Sequence, residues 1–205
     1  GLGDVYKRQA QNGGKPFPAE KFVNKIPVKK HDHVLIPAGT VHCSGADTMV
    51  LEISATPYIF TFKLWDWGRV DLDGKPRPIH LEHGAANIQW YRNTEWVHRN
   101  LVNAVAEVYT GENGTVVRTG LHEREFLDTF RFTTSSTLPV HRNVSVHMLN
   151  LVDGTRAVLR SKSDAFPPLE LHYAETCIVP QAAGDYEISS PDGSEVKVIL
   201  ACVRN

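Results

Sequence analysis

The sequence lacks a long apolar run and has almost no net charge. Its longest apolar run, residues 198–203, has the length of one β-strand and falls far short of the roughly 18–20 residues that span a bilayer. The 22 basic and 23 acidic residues nearly cancel, so no net field attracts nucleic acid or an acidic membrane surface. We therefore expect neither a nucleic-acid partner nor a membrane partner, and any charged ligand must be recognised locally.

The sequence also lacks a cysteine framework and an N-terminal targeting signal. Its three cysteines, Cys43, Cys177 and Cys202, form no C-x-x-C pair, which predicts buried, reduced thiols in a cytoplasmic protein. The chain begins without Met and without the apolar core of a signal peptide. We expect it to be incomplete at its N-terminus, and residues 1–9 look like foreign translated sequence.

The sequence has enough apolar residues to form a core, and the spacing of these residues predicts mainly β-strands. The 205 residues are 41% hydrophobic, which excludes disorder for most of the chain. A short helix is predicted near residue 17, and runs rich in β-branched and aromatic residues predict strands at 34–36, 49–54 and 58–67. Apolar spacing at threes and fours between 81 and 109 predicts one or two helices.

From residue 114 the apolar period is two, which predicts further strands. Two apolar faces are predicted on them: Phe126, Phe130 and Phe132, and Val144, Val146 and Met148. The pairs 113–114, 153–154 and 192–193 are Asn-Gly or Asp-Gly and predict hairpin turns. Many short strands with regular turns favour an all-β sandwich or barrel with a helical insertion over an alternating βαβ fold.

The most informative string for chemistry is PAGTVH, residues 37–42. Pro37 and Gly39 predict a tight turn between strands, after which His42 can point into a barrel. One histidine on a strand is more often structural than a metal ligand, and a catalytic zinc site needs about three protein ligands. His31 and His33 sit at a predicted strand entrance, where we interpret them as solvated turn residues.

Three further sets of polar residues are candidates for chemistry. His80 and His83 lie at a predicted helix start, and because no second cluster of matching spacing follows them, we interpret them as structural residues. Glu52 lies in an apolar run, where it faces either solvent or a polar cavity. Around residues 63–69, Lys63, Asp66 and Arg69 alternate with Trp65 and Trp67. Cations beside aromatic rings suit a phosphate or a sugar, and a sheet edge explains them equally well.

Five segments in order resemble the class I phosphomannose isomerases, zinc-dependent proteins of the cupin superfamily. The first two are FVNKIPVKKHDHVLIPAGTVH, residues 22–42, and FKLWDWGRVDLDGKPRPIHLEHG, residues 62–84. The other three resemble the second, metal-free cupin of the short bacterial members: RTGLHEREFLDTFRF, SVHMLNLVDGT and ETCIVPQAAGDYEI. The resemblance runs from about Phe17 to the end of the chain.

The resemblance implies a double-stranded β-helix, or jelly-roll, fold with two cupin units and a helical insertion. Residues 10–110 would form the C-terminal part of the metal-binding cupin with the helical segment, and residues 111–205 the second cupin. It also implies interconversion of mannose 6-phosphate and fructose 6-phosphate, with Zn²⁺ as cofactor and a sugar phosphate as the small-molecule partner. The sequence does not indicate the oligomeric state.

The resemblance also assigns roles to single residues. His42 matches the last zinc ligand, and Glu52 an acidic residue that lines the active site and is our candidate for the acid or base. The family's active-site arginine stands a few residues before a YDWGR-like string, and its nearest match here is Lys63, after a one-residue shift. Arg69 matches the arginine within that YDWGR-like string. The family's other zinc ligands, a Gln-x-His pair and a Glu, have no candidate before Lys21.

Two alternatives to this isomerase stay open. One is a non-catalytic sugar-binding or regulatory cupin without its metal site. The other is a cupin isomerase or epimerase that acts on a different sugar or sugar phosphate.

Overall fold

The computed structural model describes residues 16–54, 61–120, 122–141 and 145–204. They divide into two compact units. The first unit contains the described residues 16–51 and 61–102, and the second contains residues 52–54 and 103–204. None of the helices among these residues is long and apolar enough to cross a bilayer.

Two short helices are the regular elements of the first unit, together with one 3₁₀ turn at Ala19–Lys21. Helix α1 is Leu81–Asn87 and α2 is Thr94–Asn100. The Asn93 side chain begins α2 by accepting a hydrogen bond from the Trp96 N–H at 2.9 Å, which satisfies one of the free donors of the first turn. The two helices confirm the helical prediction as far as residue 100, but residues 106–109, which the same spacing covered, lie in a β-strand. The helix expected near residue 17 is this 3₁₀ turn alone.

The strands predicted in the first half of the chain are not formed in its described residues. Val34 makes only an isolated bridge with Val102, and residues 49–54 and 61–67 contain no strand. Residues 58–60 of the third predicted strand lie outside the described residues. Apolar residues at 49–51 are exposed, because no described strand pairs with them. Strand propensity alone does not supply a pairing partner.

The second unit is built from antiparallel strands that form two sheets. Its strands are β1 Ala106–Gly111, β2 Gly114–Arg118, β3 Leu127–Thr134, β4 Thr137–Val140, β5 His147–Asp153, β6 Arg156–Ser161, β7 Leu169–His172, β8 Thr176–Val179, β9 Tyr186–Ser189 and β10 Val196–Val203. One sheet has the order β1-β2-β3-β10-β5-β8 and the other the order β4-β9-β6-β7. Apolar side chains from both sheets share one buried core. This arrangement confirms the predicted mainly β fold class.

The predicted shared side of Val146 and Met148 is the exposed side of β5. Val146 and Met148 are exposed, whereas His147, Leu149 and Leu151 are buried. The period of two is correct, but apolar residues occupy both faces of β5, so the period does not show which face turns inward. Val144 lies outside the described residues. On β3 Phe132 is buried and Phe130 half-buried, while Phe126 precedes the strand and is exposed.

Of the three predicted hairpins, one is formed. Strands β1 and β2 pair directly, with Gly111 opposite Gly114. The turns at 153–154 and 192–193 instead connect strands of different sheets, β5 to β6 and β9 to β10. Their glycines do adopt positive φ, 87° at Gly154 and 76° at Gly193. The local turn chemistry was therefore predicted correctly, but the sheet that the next strand joins depends on packing.

Candidate active site

The PAGTVH string forms the predicted tight turn in the first unit. The Thr40 N–H donates to the Pro37 carbonyl at 3.2 Å, and Gly39 adopts φ 83°. A Cβ on Gly39 would lie 2.5 Å from the Asn87 carbonyl oxygen, while the Gln89 N–H donates to the Gly39 carbonyl at 3.0 Å. Only glycine fits this conformation and this close approach.

Arg92 holds the same turn from the start of the α2 region. Its Nη1 donates to the carbonyls of Pro37 and Ala38 at 3.1 and 2.8 Å and to Thr40 Oγ1 at 2.6 Å. The guanidinium also lies over the rings of Tyr91 and Trp96, 5.5 and 5.4 Å from their centroids. Sequence reasoning missed Arg92, because its partners precede it by 52 to 55 residues and no local pattern connects them.

His42 follows this turn and is exposed. Its Nδ1 lies 2.9 Å from the Thr40 carbonyl oxygen, and because a carbonyl only accepts, Nδ1 must carry the proton. Nε2 then keeps its lone pair in the neutral ring. Within the described ranges, however, no three His, Cys, Asp or Glu side chains come together to hold a metal ion. The described residues therefore do not fit a zinc ion, which needs about three protein ligands.

Two other histidines of the first unit, His80 and His83, make local structural contacts. His80 immediately precedes α1; its backbone N–H donates to the Lys63 carbonyl at 2.7 Å, and its Nδ1 accepts from the Lys63 N–H at 3.2 Å. The His83 ring stacks on Phe62 at 5.7 Å. His31 has φ 71° in a turn, as expected for the strand entrance.

Lys63 and Arg77 flank the buried carboxylate of Asp66 in the first unit, and Arg69 follows Asp66 in the same turn. Lys63 Nζ is 3.7 Å from Asp66 Oδ1, and Arg77 Nε is 3.0 Å from Oδ2. The Arg69 N–H donates to the Asp66 carbonyl at 2.9 Å, which closes a turn in which Trp67 and Gly68 have φ 57° and 68°. The sequence pointed to Lys63, Asp66 and Arg69 but missed Arg77.

Glu52 is exposed and lies in the short segment that groups with the second unit. It is not in a strand. Strand alternation therefore does not decide whether Glu52 faces solvent or a cavity. The role proposed for Glu52 depends on the resemblance alone.

The second unit contains a buried polar pair that the sequence analysis missed. His147 Nδ1 lies 2.9 Å from the Tyr186 hydroxyl. Burial lowers the pKa of His147. Burial is also the main cause of the raised pKa of Tyr186, and the nearby Cys177 and Cys202 raise it further. Cys202 is buried as expected and Cys177 is half-buried, but Cys43 is exposed, since the residues around it in the first unit form no strand pair that covers it.

A surface cavity of about 250 Å³ lies at the end of β1, β2 and β3 in the second unit. Hydroxyl side chains of residues 133–136 and the carboxylates of Glu112 and Glu195 line it. His42, Glu52, Lys63 and Arg69 are not among its lining residues.

The sequence is similar to short parts of curated mannose-6-phosphate isomerases. The chain is 35% identical over 63 residues to the mannose-6-phosphate isomerase of Streptococcus mutans, which is 31% of this chain and 20% of that protein. It is 33% identical over 70 residues to the mannose-6-phosphate isomerase ManA of Bacillus subtilis, which is 34% of this chain and 22% of that protein. No family model matches the chain.

The fold is similar to that of one solved enzyme of this name. The crystal structure of the mannose 6-phosphate isomerase from Bacillus subtilis superposes with a TM-score of 0.52 at 13% identity, over 68% of this chain and 39% of that one. The aligned parts thus span about a fifth of the curated relatives' sequences and about two fifths of the solved structure. The resemblance predicted from the motifs is confirmed over these parts. The chain is a mainly β protein that resembles part of a mannose-6-phosphate isomerase.

Proposed function

We propose that the chain is part of an aldose–ketose isomerase that interconverts mannose 6-phosphate and fructose 6-phosphate. The observation that carries the proposal is the 35% identity over 63 residues to the enzyme of that name from Streptococcus mutans. The shared fold of the Bacillus subtilis enzyme supports it. The sugar phosphate is then the small-molecule partner.

The reaction moves one proton between neighbouring carbons. A base removes the proton from C2 of the open-chain aldose, the C–H electron pair forms the C1–C2 double bond, and the aldehyde oxygen gains the negative charge. Return of the proton to C1, with the hydroxyl proton passing from O2 to O1, gives the ketose. We assign the base to Glu52, and the stabilisation of negative charge to Lys63 and Arg69.

Zinc enters the proposal only through the resemblance. His42, with Nδ1 bonded to Thr40 and Nε2 left as an acceptor, is the proposed metal ligand of this chain. Since the described residues supply no set of three donors, no step of the reaction is assigned to a metal ion. The family's remaining donors would have to come from outside the described residues.

The test is the Glu52→Gln variant of the protein as its gene encodes it, assayed on mannose 6-phosphate. If Glu52 is the base, kcat/KM falls by about 10²–10⁴-fold, the usual contribution of general base catalysis. The matched control is Glu107→Gln, which removes an exposed carboxylate from β1 and leaves the rate unchanged. A loss below about threefold at Glu52 removes it from this role.

A non-catalytic sugar-phosphate-binding cupin is the second candidate. It is favoured by the lack of a metal-holding group among the described residues and by lysine rather than arginine at position 63. Titration with mannose 6-phosphate separates the two candidates, because binding without turnover supports the binding protein and turnover supports the isomerase.

A further inference from the structure

We propose that Asn113, at the tip of the β1–β2 hairpin, is a deamidation site whose isoaspartate product loosens this hairpin. The proposal is independent of the isomerase reaction. It starts from the three turn motifs of the second unit, of which the one at 113–114 is asparagine–glycine and the other two are aspartate–glycine.

The reaction joins the Asn113 side chain to the next peptide nitrogen. The Gly114 nitrogen gives its proton to a buffer base and bonds to Asn113 Cγ, while the side-chain nitrogen takes up a proton and leaves as ammonia. Glycine favours this step because it has no Cβ to obstruct the approach. Water then opens the cyclic imide, at Cγ to give aspartate or at the main-chain carbonyl carbon to give isoaspartate. Water is consumed and ammonia is released, and no atom is oxidised or reduced.

The first observation is that the Asn113 side chain has no partner to lose. Asn113 is exposed, and its side-chain amide makes no hydrogen bond within the part of the chain that the structure describes. Other described asparagines bind a partner through the side chain, and none of them precedes glycine: Asn24, Asn87, Asn93, Asn100 and Asn150. Such a side chain must break a hydrogen bond before it can turn towards the next peptide nitrogen.

The second observation is the space around this side chain. Asn113 lines the surface cavity of about 250 Å³ together with Glu112 and Glu195. An exposed side chain at such an opening changes rotamer rapidly and without moving packed neighbours. The Asn113 side chain therefore has room to bring Cγ against the Gly114 nitrogen.

The two aspartate–glycine turns are protected from the same cyclisation. Asp153 accepts the Gly154 N–H at 3.1 Å and pairs with Lys197 at 3.2 Å. Asp192 Oδ1 accepts the Ser194 hydroxyl at 2.6 Å and the Ser194 N–H at 3.0 Å, and these bonds lower the pKa of Asp192. An ionised carboxylate resists attack by a nucleophile, so hydrogen bonds and ion pairs that favour the charged form disfavour ring closure.

The third observation is that the tip of the hairpin is tightly fitted to its neighbours. The Asn113 carbonyl accepts the hydroxyl of the buried Thr134 at 2.5 Å, and this hydroxyl accepts the Ser136 N–H at 2.9 Å. Gly114 has φ 134°, and a Cβ there would lie 2.1 Å from the Thr133 carbonyl oxygen. Only glycine fits this position, so the reactive pair can be removed only by changing Asn113.

Isoaspartate changes this tip in two ways. The main chain gains an additional carbon atom, and the former Asn113 carbonyl becomes a charged branch beside Glu112. The pairing of Gly111 with Gly114 closes the hairpin across residues 112 and 113, so the longer connection shifts the register. Among the described strands, β1 is an outer strand that pairs with β2 alone, so a loosened hairpin frees β1.

Ageing of the 205-residue chain in mildly alkaline buffer, followed by peptide mapping with mass spectrometry, measures the reaction at each asparagine. We expect Asn113 to deamidate about tenfold or more faster than Asn150, a ratio that a barrier lower by about 1.4 kcal/mol produces. Mapping also separates Asn113 from Asn12, which precedes glycine outside the described residues. Asn113→Gln should stop the reaction at this position, because glutamine must close a larger ring. The matched control, Asn150→Gln, should leave the rate at Asn113 unchanged.

Hydrogen exchange of the same samples tests the loosening of the hairpin. Exchange across residues 106–118 should be faster in aged than in fresh wild-type protein, whereas aged Asn113→Gln protein should match its fresh form. Fresh Asn113→Asp protein adds the charge without lengthening the main chain and should keep the slow exchange.

Each result decides one part of the proposal. Deamidation at Asn113 that is no faster than at Asn150 overturns the site, and this measurement needs no variant. Fast deamidation with unchanged exchange of residues 106–118 overturns the loosening of the hairpin, as does equally accelerated exchange in aged wild-type and Asn113→Gln proteins. Fast exchange in fresh Asn113→Asp protein overturns isoaspartate as the cause, because the charge alone is then sufficient.

Discussion

Arg92 shows how one side chain sets the shape of the PAGTVH turn. Three acceptors of that turn share its Nη1, and two aromatic rings flank the guanidinium. The turn itself was predictable, because Pro37 and Gly39 carry its chemistry in six consecutive residues. The hydrogen bonds from Arg92 to the turn were not predictable, and neither was the pairing of Arg77 with Asp66, because both depend on contacts between separated segments. Roles for His42 and Glu52 remain predictions of the resemblance.

Replacing Arg92 with methionine should destabilise the first unit. The variant keeps part of the apolar packing but leaves the half-buried Pro37 carbonyl and Thr40 hydroxyl without their donor, which costs about 1–3 kcal/mol of unfolding free energy. Urea unfolding followed by tryptophan fluorescence measures it, since all four tryptophans lie before Asn103. The control is Arg99→Met, which breaks only an exposed ion pair with Glu95 on α2 and should cost less than about 0.5 kcal/mol. Equal losses in both variants would contradict a special role for Arg92.

At the scale of elements, β5 shows what a period of two predicts and what it leaves open. Its period of two was visible, but the side chain that turns inward at its start is the polar His147, because the Tyr186 hydroxyl from β9 meets it inside the core. The helices were easier to predict, since Asn93 and the apolar spacing around α2 are local signals. Local signals did not predict the order of strands in the sheets, because the turns after β5 and β9 lead to strands of the other sheet.

The His147–Tyr186 pair makes the second unit sensitive to mild acid. Burial lowers the pKa of His147 below its ordinary value of 6.5, so below about pH 6.5 the unfolded chain binds a proton that the folded unit does not. Stability is therefore lost as the pH falls from 6.5 towards the folded pKa, by at most about 1.4 kcal/mol per pH unit. Urea unfolding followed by far-ultraviolet circular dichroism at pH 7.5 and pH 5.5 measures this loss.

The control for this pH dependence is His172, an exposed histidine paired with Glu175. His147→Gln should flatten the dependence of the second unit, whereas His172→Gln should preserve it. If the wild-type unit is equally stable at both pH values, or if the His147 variant keeps the full slope, the buried imidazole is not the cause.

At the scale of the whole molecule, the two units differ in how much core they contain. The second unit buries a cluster that includes Leu149, Leu159, Ile188 and Val198, whereas the buried apolar side chains of the first unit's described residues are few: Phe17, Leu81 and Leu101. Buried apolar area is the main source of stability. The sequence composition predicted a sizeable core, but only the structure shows that most of the described buried apolar residues belong to the second unit.

We expect the first unit to unfold at a lower denaturant concentration than the second. Tryptophan fluorescence reports only the first unit, and far-ultraviolet circular dichroism is dominated by the ten strands of the second. Two separated transitions, with the fluorescence change first, are the expected result. Coincident transitions would show that the chain unfolds as one cooperative body and would contradict the prediction.

Strand β10 has a consequence for the nascent chain. It is the last of the ten described strands, yet it lies between β3 and β5 and pairs with both. Until residues 196–203 leave the ribosome, β3 and β5 have no partner between them, and both present open edges. The larger sheet therefore completes only after these residues have been synthesised, so a message cut short before this strand yields a chain with open sheet edges that tends to aggregate and depends on chaperones.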